Sequence, residues 1–178
     1  MFRINTLSMC VLLLPAALIA APTEVKLPMR MEDVVSRFQK NCPDHVKFSA
    51  QQDTLVINVS EVDRNGGFDG VHSVSLKQLA GRNITFLFDI KIDNVESADG
   101  KNIHSVGRLS VGSATQHLLV RNSGWHTYTF KSVKIPGNGL LKIRLSFKNI
   151  SGEIQIRNPR IRGDLPKPPK KKTKNKKK

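Results

Sequence analysis

The sequence predicts an all-β protein: an antiparallel two-sheet β-sandwich of the jelly-roll kind, with a short N-terminal helix before it and a disordered tail after it. Three observations lead there. From residue 47 onward apolar residues recur at every second position in about eight short runs. Clusters of Gly, Asn, Asp and Pro separate the runs at regular intervals. The remainder of the chain past the first forty-odd residues carries no helical periodicity, so each strand must bury one face against an opposite sheet.

Residues 1–21 read as a signal peptide outside the fold. Arg3 supplies a positive start, Leu7 to Ala21 is apolar apart from Ser8, and Ala20-Ala21 supplies small residues for cleavage, best placed after Ala20. Pro15 interrupts this run, which is shorter than the roughly 20 apolar residues a bilayer-spanning helix needs. The sequence therefore predicts a secreted or periplasmic product without a transmembrane anchor. Cys10 is followed by more apolar sequence, unlike a lipid-attachment cysteine, and cleavage leaves Cys42 solitary, so no intramolecular disulfide can staple the domain.

Residues 22–46 read as linker and short helix. Met31, Val34, Val35 and Phe38 recur at helical spacing, and Asn41 with Pro43 supplies a stop. Residues 47–163 form the predicted sandwich. Its runs are Thr54–Val59, Val71–Leu76, Ile84–Ile92, Val106–Val111, Gln116–Val120, His126–Val133, Leu141–Phe147 and Glu153–Ile161. In Ile84–Ile92 only Leu87 breaks the alternation that puts Phe86, Phe88, Ile90 and Ile92 on one face. The turn clusters include Asp63–Gly67, Asn122–Gly124 and Pro136–Gly139.

Residues 164–178 form a Lys/Pro-rich basic tail, and from Lys167 onward it holds no apolar side chain except proline, which predicts disorder. The chain has 29 Lys+Arg against 14 Asp+Glu, and eight lysines between 167 and 178 concentrate that excess in the tail. Lys170, Lys171, Lys172, Lys174, Lys176, Lys177 and Lys178 make it a salt-sensitive polycation for anionic polymers. Export argues against a dedicated nucleic-acid partner.

Several runs carry a resemblance. Leu79-Ala80-Gly81-Arg82-Asn83-Ile84-Thr85-Phe86 resembles the entry to a long central strand, and Gly124-Trp125-His126-Thr127-Tyr128-Thr129-Phe130, followed by Ile135-Pro136, resembles a W-x-x-Y-x-F strand. Ser151 to Ile161 resembles a closing strand. Over residues 48–162 the chain is similar to galactose-binding-like jelly rolls, among them bacterial carbohydrate-binding modules of the CenC-like type. The resemblance implies a non-catalytic carbohydrate-binding domain with a polysaccharide partner. In many of these relatives an Asp of the closing strand helps hold a structural Ca²⁺. Here that position is Asn158, whose amide carbonyl can still ligate calcium but brings no charge, so a structural calcium is the one cofactor the resemblance leaves open and no other is expected.

Sugar-binding faces stack pyranose rings on flat aromatics, and this chain has one Trp and one Tyr. The resemblance buries Trp125, and strand parity puts Tyr128, Phe130, Phe86, Phe88 and Phe147 in the core. The outward positions are basic instead: Lys142, Arg144 and Lys148, then Arg157, Arg121, His117 and Lys91. These are the candidate ligand-binding residues, with arginines suited to forking onto sulfate or carboxylate. HExxH, GxSxG and P-loop motifs are absent, and no recognisable carboxylate pair offers glycosidase chemistry, so the sequence reads as a non-enzyme. The other reading it supports is a structural or adhesive envelope protein held by its basic tail.

Overall fold

The computed structural model describes residues 24–40, 42–60, 67–97, 103–121 and 124–163. The signal segment at 1–21, the lysine tail at 164–178 and the turn residues 63–66 and 122–123 lie outside them. In chain order the elements are β1 (Glu24–Lys26), α1 (Met31–Gln39), β2 (Val46–Gln51), β3 (Thr54–Val59), β4 (Gly67–Ser75), β5 (Asn83–Ser97), β6 (Ser105–Val111), β7 (Ala114–Leu119), β8 (His126–Lys134), β9 (Leu140–Lys148) and β10 (Ile150–Arg162). A single 3₁₀ turn, Lys77–Leu79, joins β4 to β5.

The strands form two sheets in which every pairing is antiparallel. The larger runs β2-β3-β10-β5-β8, with β1 also paired to β10; the smaller runs β4-β9-β6-β7. This is the predicted sandwich with two additions. Val46–Gln51 is a full strand, and Glu24–Lys26, within the segment read as linker, is an edge strand against Arg160–Arg162.

Alternation delivers the core as parity requires. Phe86, Phe88, Ile90, Tyr128, Phe130, Ile154 and Ile156 face in from the larger sheet and Leu141, Ile143, Leu145 and Phe147 from the smaller, all at 5% exposure or less. Leu87 keeps its outward parity and is nonetheless 4% exposed, as is outward Val56 at 2%. Their neighbours in register, Arg160 and Gln155, have stems long enough to shield apolar surface.

Both open sides of the sandwich are closed. Helix α1 lies across the side between edge strands β2 and β4, burying Met31, Val34 and Phe38. Its first turn carries Glu32 and Asp33 and its last Arg37, which complements the helix dipole. Phe38 meets Phe48 of β2 and Phe68 of β4 edge-on at 5.4 and 5.2 Å between ring centroids. On the other side β7 and β8 are laced by side chains: the Leu119 amide donates to the Tyr128 hydroxyl at 3.0 Å, and Gln116 Nε2 donates to the Thr129 carbonyl.

The closing strand bends at two irregularities. One is at Gly152, whose φ of +118° and 2.5 Å approach of a would-be Cβ to the Asn94 carbonyl oxygen leave room for glycine alone. The other, between Arg157 and Arg160, holds Asn158 at φ +48°.

Truncating Phe38→Ala removes the ring that joins the helix to both sheets. The expected loss is about 3–5 kcal/mol of unfolding free energy, read from urea denaturation. His72 of β4 is half-buried behind α1; burial pushes its imidazole below its ordinary pKa, Arg37 adds to this and Asp33 opposes it. The folded state thus prefers neutral His72, whose contribution is present above about pH 6.5 and lost as pH falls below it. Thermal melts between pH 7 and pH 5 should show that loss, and His72→Gln should flatten it.

Candidate functional site

The outward basic residues divide between the two sheets. Lys142, Arg144 and Lys148 project from β9 and His117 from β7, all on the smaller sheet; Lys91 and Arg157 belong to β5 and β10 of the larger. Arg121 follows β7 and lies over the Tyr128 ring at 5.7 Å, at the laced side of the sandwich. One patch containing all seven is therefore not formed.

The smaller sheet receives most of the seven candidate residues. Asp69, Ser146, Arg108 and His117 occupy one row across all four of its strands, and Val71, Arg144, Ser110 and Thr115 the next. A depression of about 630 Å³ opens at the first row, lined by Asp69, Arg108, His117, Ser146, Lys148 and Asn149. Arg108 was not among the residues expected from the sequence. The irregularity between Ser105 and Gly107 shifts parity, so that Val106 and Leu109 are both buried and Arg108 turns outward.

Arg144 is already engaged. Its Nε donates to Asp69 Oδ1 at 2.6 Å and its Nη2 to Oδ2, a bidentate fork that holds the Asp69 carboxyl below its usual range. Both side chains are well exposed, so the pair fixes orientation more than it stabilises the fold. Lys142, Lys148, Arg108 and His117 are exposed and have no ion pair or hydrogen bond among the described residues. The face thus presents three unneutralised cations and an imidazole. It carries no Trp, Tyr or Phe at an outward position.

On the larger sheet several cations are paired, while exposed Lys47, Lys131 and Lys134 have no ion pair among the described residues. Lys91 pairs with Asp93 at 2.5 Å, and Arg160 with Asp89 at 2.7 Å and Glu24 at 3.5 Å. Asp89 also accepts from the Thr127 hydroxyl at 2.8 Å and the Asn158 amide at 3.0 Å. Asn158 therefore turns its donor, not its carbonyl, toward the carboxylate, and Arg160 supplies the positive charge there. Among the described residues no cluster of three or more His, Cys, Asp or Glu is placed to hold a metal ion.

Trp125 departs from expectation. It is half-buried rather than core, and the Arg157 guanidinium lies 3.7 Å from its ring centroid. The residues meet across β5, which separates β8 from β10, so sequence spacing gives no sign of the contact. Tyr128, Phe130, Phe86, Phe88 and Phe147 are buried as expected. The Cys42 thiol, half-buried, accepts from Gln39 Nε2 at 2.9 Å and donates to the Val46 carbonyl at 3.1 Å. Burial pushes its pKa up.

Among the described residues no helix is long and apolar enough to cross a membrane. No family model and no curated protein matches the sequence. Carbohydrate-binding modules stand among the solved structures to which the chain is similar. A family 11 module from Clostridium thermocellum, in complex with a β-1,3-1,4-mixed-linked tetrasaccharide, is 12% identical, with 68% of this chain and 84% of that one covered and a TM-score of 0.45. A family 30 module of a cellulosomal cellulase of Clostridium thermocellum is 12% identical, with 70% and 85% covered and a TM-score of 0.40. The enzymatically active domain of tailspike protein 4 of bacteriophage CBA120 is 12% identical with a TM-score of 0.44; 65% of this chain is covered, but only 17% of the tailspike chain.

Proposed function

We propose that the chain is an exported, non-catalytic glycan-binding domain that engages anionic polysaccharides through the outer face of its smaller sheet. The observation that carries this reading is the depression flanked by Arg108, Lys148 and His117, with Lys142 on the same face, none of them neutralised among the described residues. The carbohydrate part rests on the strand motifs Leu79–Phe86 and Gly124–Phe130, and export on residues 1–21.

A face without aromatic rings grips a sugar by charge and hydrogen bonds rather than by stacking. Charge-assisted bonds contribute roughly 1.5–3 kcal/mol each when partly desolvated and roughly 0.2–1 kcal/mol when exposed. A few such contacts give weak monovalent affinity, so a repeating anionic polymer is the ligand that suits the face. Lysines 170–178 would add long-range, salt-sensitive attraction. The tail also supports a second reading, in which it holds a structural envelope protein to anionic cell-surface polymers and the sandwich binds no glycan.

The test uses the secreted chain and a version ending after residue 163, titrated in low salt with dextran sulfate, polygalacturonate and neutral dextran. The shortened chain should bind both anionic polymers, with affinity falling as salt rises, and leave neutral dextran unbound. Arg108→Gln with Lys148→Gln should weaken binding about 10-fold, as loss of roughly 1.4 kcal/mol implies. Arg144→Gln, whose fork already holds Asp69, should weaken it less. Binding that needs residues 164–178 and ignores the paired substitution would establish the envelope-anchor reading instead.

A further inference from the structure

Arg157 differs from its cationic neighbours Lys91 and Arg160 on the larger sheet. Lys91 and Arg160 each have a carboxylate within 2.7 Å; Arg157 has none. Asp89 lies directly opposite it in the β10–β5 register, yet the Asp89 oxygens accept from Arg160, Thr127 and Asn158. The guanidinium is instead laid over the Trp125 ring at 3.7 Å. Its Nε is sealed from solvent without a hydrogen-bond partner. The terminal nitrogens of this half-exposed side chain have no acceptor among the described residues either.

The sealed Nε holds the guanidinium in place but is out of an incoming ion's reach; the terminal nitrogens, with no acceptor among the described residues, are the donors left to receive a ligand. Stacking on an indole is attractive for a guanidinium and fixes its plane, leaving its edge to donate. A guanidinium held flat, with its acid neighbour already engaged, is arranged to receive two oxygens of an incoming oxyanion side by side.

From this geometry we propose that Arg157, braced on Trp125, is an oxyanion-binding point for a carboxylate or sulfate group, on the face of the sandwich opposite the Arg108–Lys148 depression. Trp125 acts as the positioning residue. The site does not rest on the glycan reading of the smaller sheet: it shares no residue with that depression and lies on the other sheet.

The chain contains a single tryptophan, so Trp125 reports on its own site. The secreted chain is titrated at constant ionic strength with sodium glucuronate and, separately, sodium sulfate, with sodium chloride as control, while tryptophan emission is followed. A saturable change with glucuronate, sulfate or both, and none with chloride, is expected; the arm that saturates identifies the oxyanion. Arg157→Gln should abolish the change. Arg157→Lys, which keeps the charge and loses the fork, should raise the half-saturation concentration at least 10-fold. Arg108→Gln with Lys148→Gln should leave the titration unaltered. No saturable change in the native chain, or the same change in Arg157→Gln or Arg157→Lys, would overturn the proposal. A response lost only on substituting Arg108 and Lys148 would overturn it too, by placing the anion on the smaller sheet.

Discussion

The larger sheet depends on the pairing of β10. This strand lies between β3 and β5 and takes β1 along its last residues, so it holds three other strands in register. Ile154, Ile156 and Ile161 bury its inner face, while Arg157, Arg160 and Arg162 face away from the core. The bends at Gly152 and near Asn158 let one continuous strand serve these partners despite its changes of register. The same bends bring Arg160 within reach of both Asp89 and Glu24. Hydrogen bonding, apolar burial and ion pairing thus coincide on one segment.

Much of the fold was legible because period and parity are local properties. The helix follows from Met31, Val34 and Phe38; Thr54–Val59 has the bounds that alternation assigns it, and Val106–Val111 misses only the first residue of β6. Strand β1 was not legible: three exposed residues carry no pattern, and Glu24–Lys26 is a strand only because β10 is beside it. The candidate site was legible by halves. Parity correctly turns Lys142, Lys148, Lys91 and Arg157 outward. Which sheet receives them is a matter of long-range pairing, which no spacing in the chain encodes. Arg108 was hidden by a one-residue shift of parity, and the Trp125–Arg157 stack by the strand between its partners.

The two outer faces differ in how their charge is balanced. On the larger sheet Asp89, Asp93 and Glu24 neutralise neighbouring cations, and Arg157 is laid on Trp125 instead. On the smaller sheet a single carboxylate, Asp69, is held by Arg144, and the other cations are left to solvent. Counting basic residues along the sequence treats Arg144 and Lys148 alike; the structure separates a residue whose fork is engaged from one whose charge is free.

The pairing of Glu24 with Arg162 has a topological consequence. The first and last strands run side by side, so the two ends of the described chain are neighbours. A short linker joining these ends would need to cross no other element. The domain is accordingly suited to circular permutation, with new ends opened at an exposed turn such as Pro136–Gly137. For the native chain it means that Glu24 and Arg162, near the two ends of the described residues, stand side by side. A group attached at Glu24 and one attached at Arg162 are therefore held on adjacent strands at one corner of the sandwich.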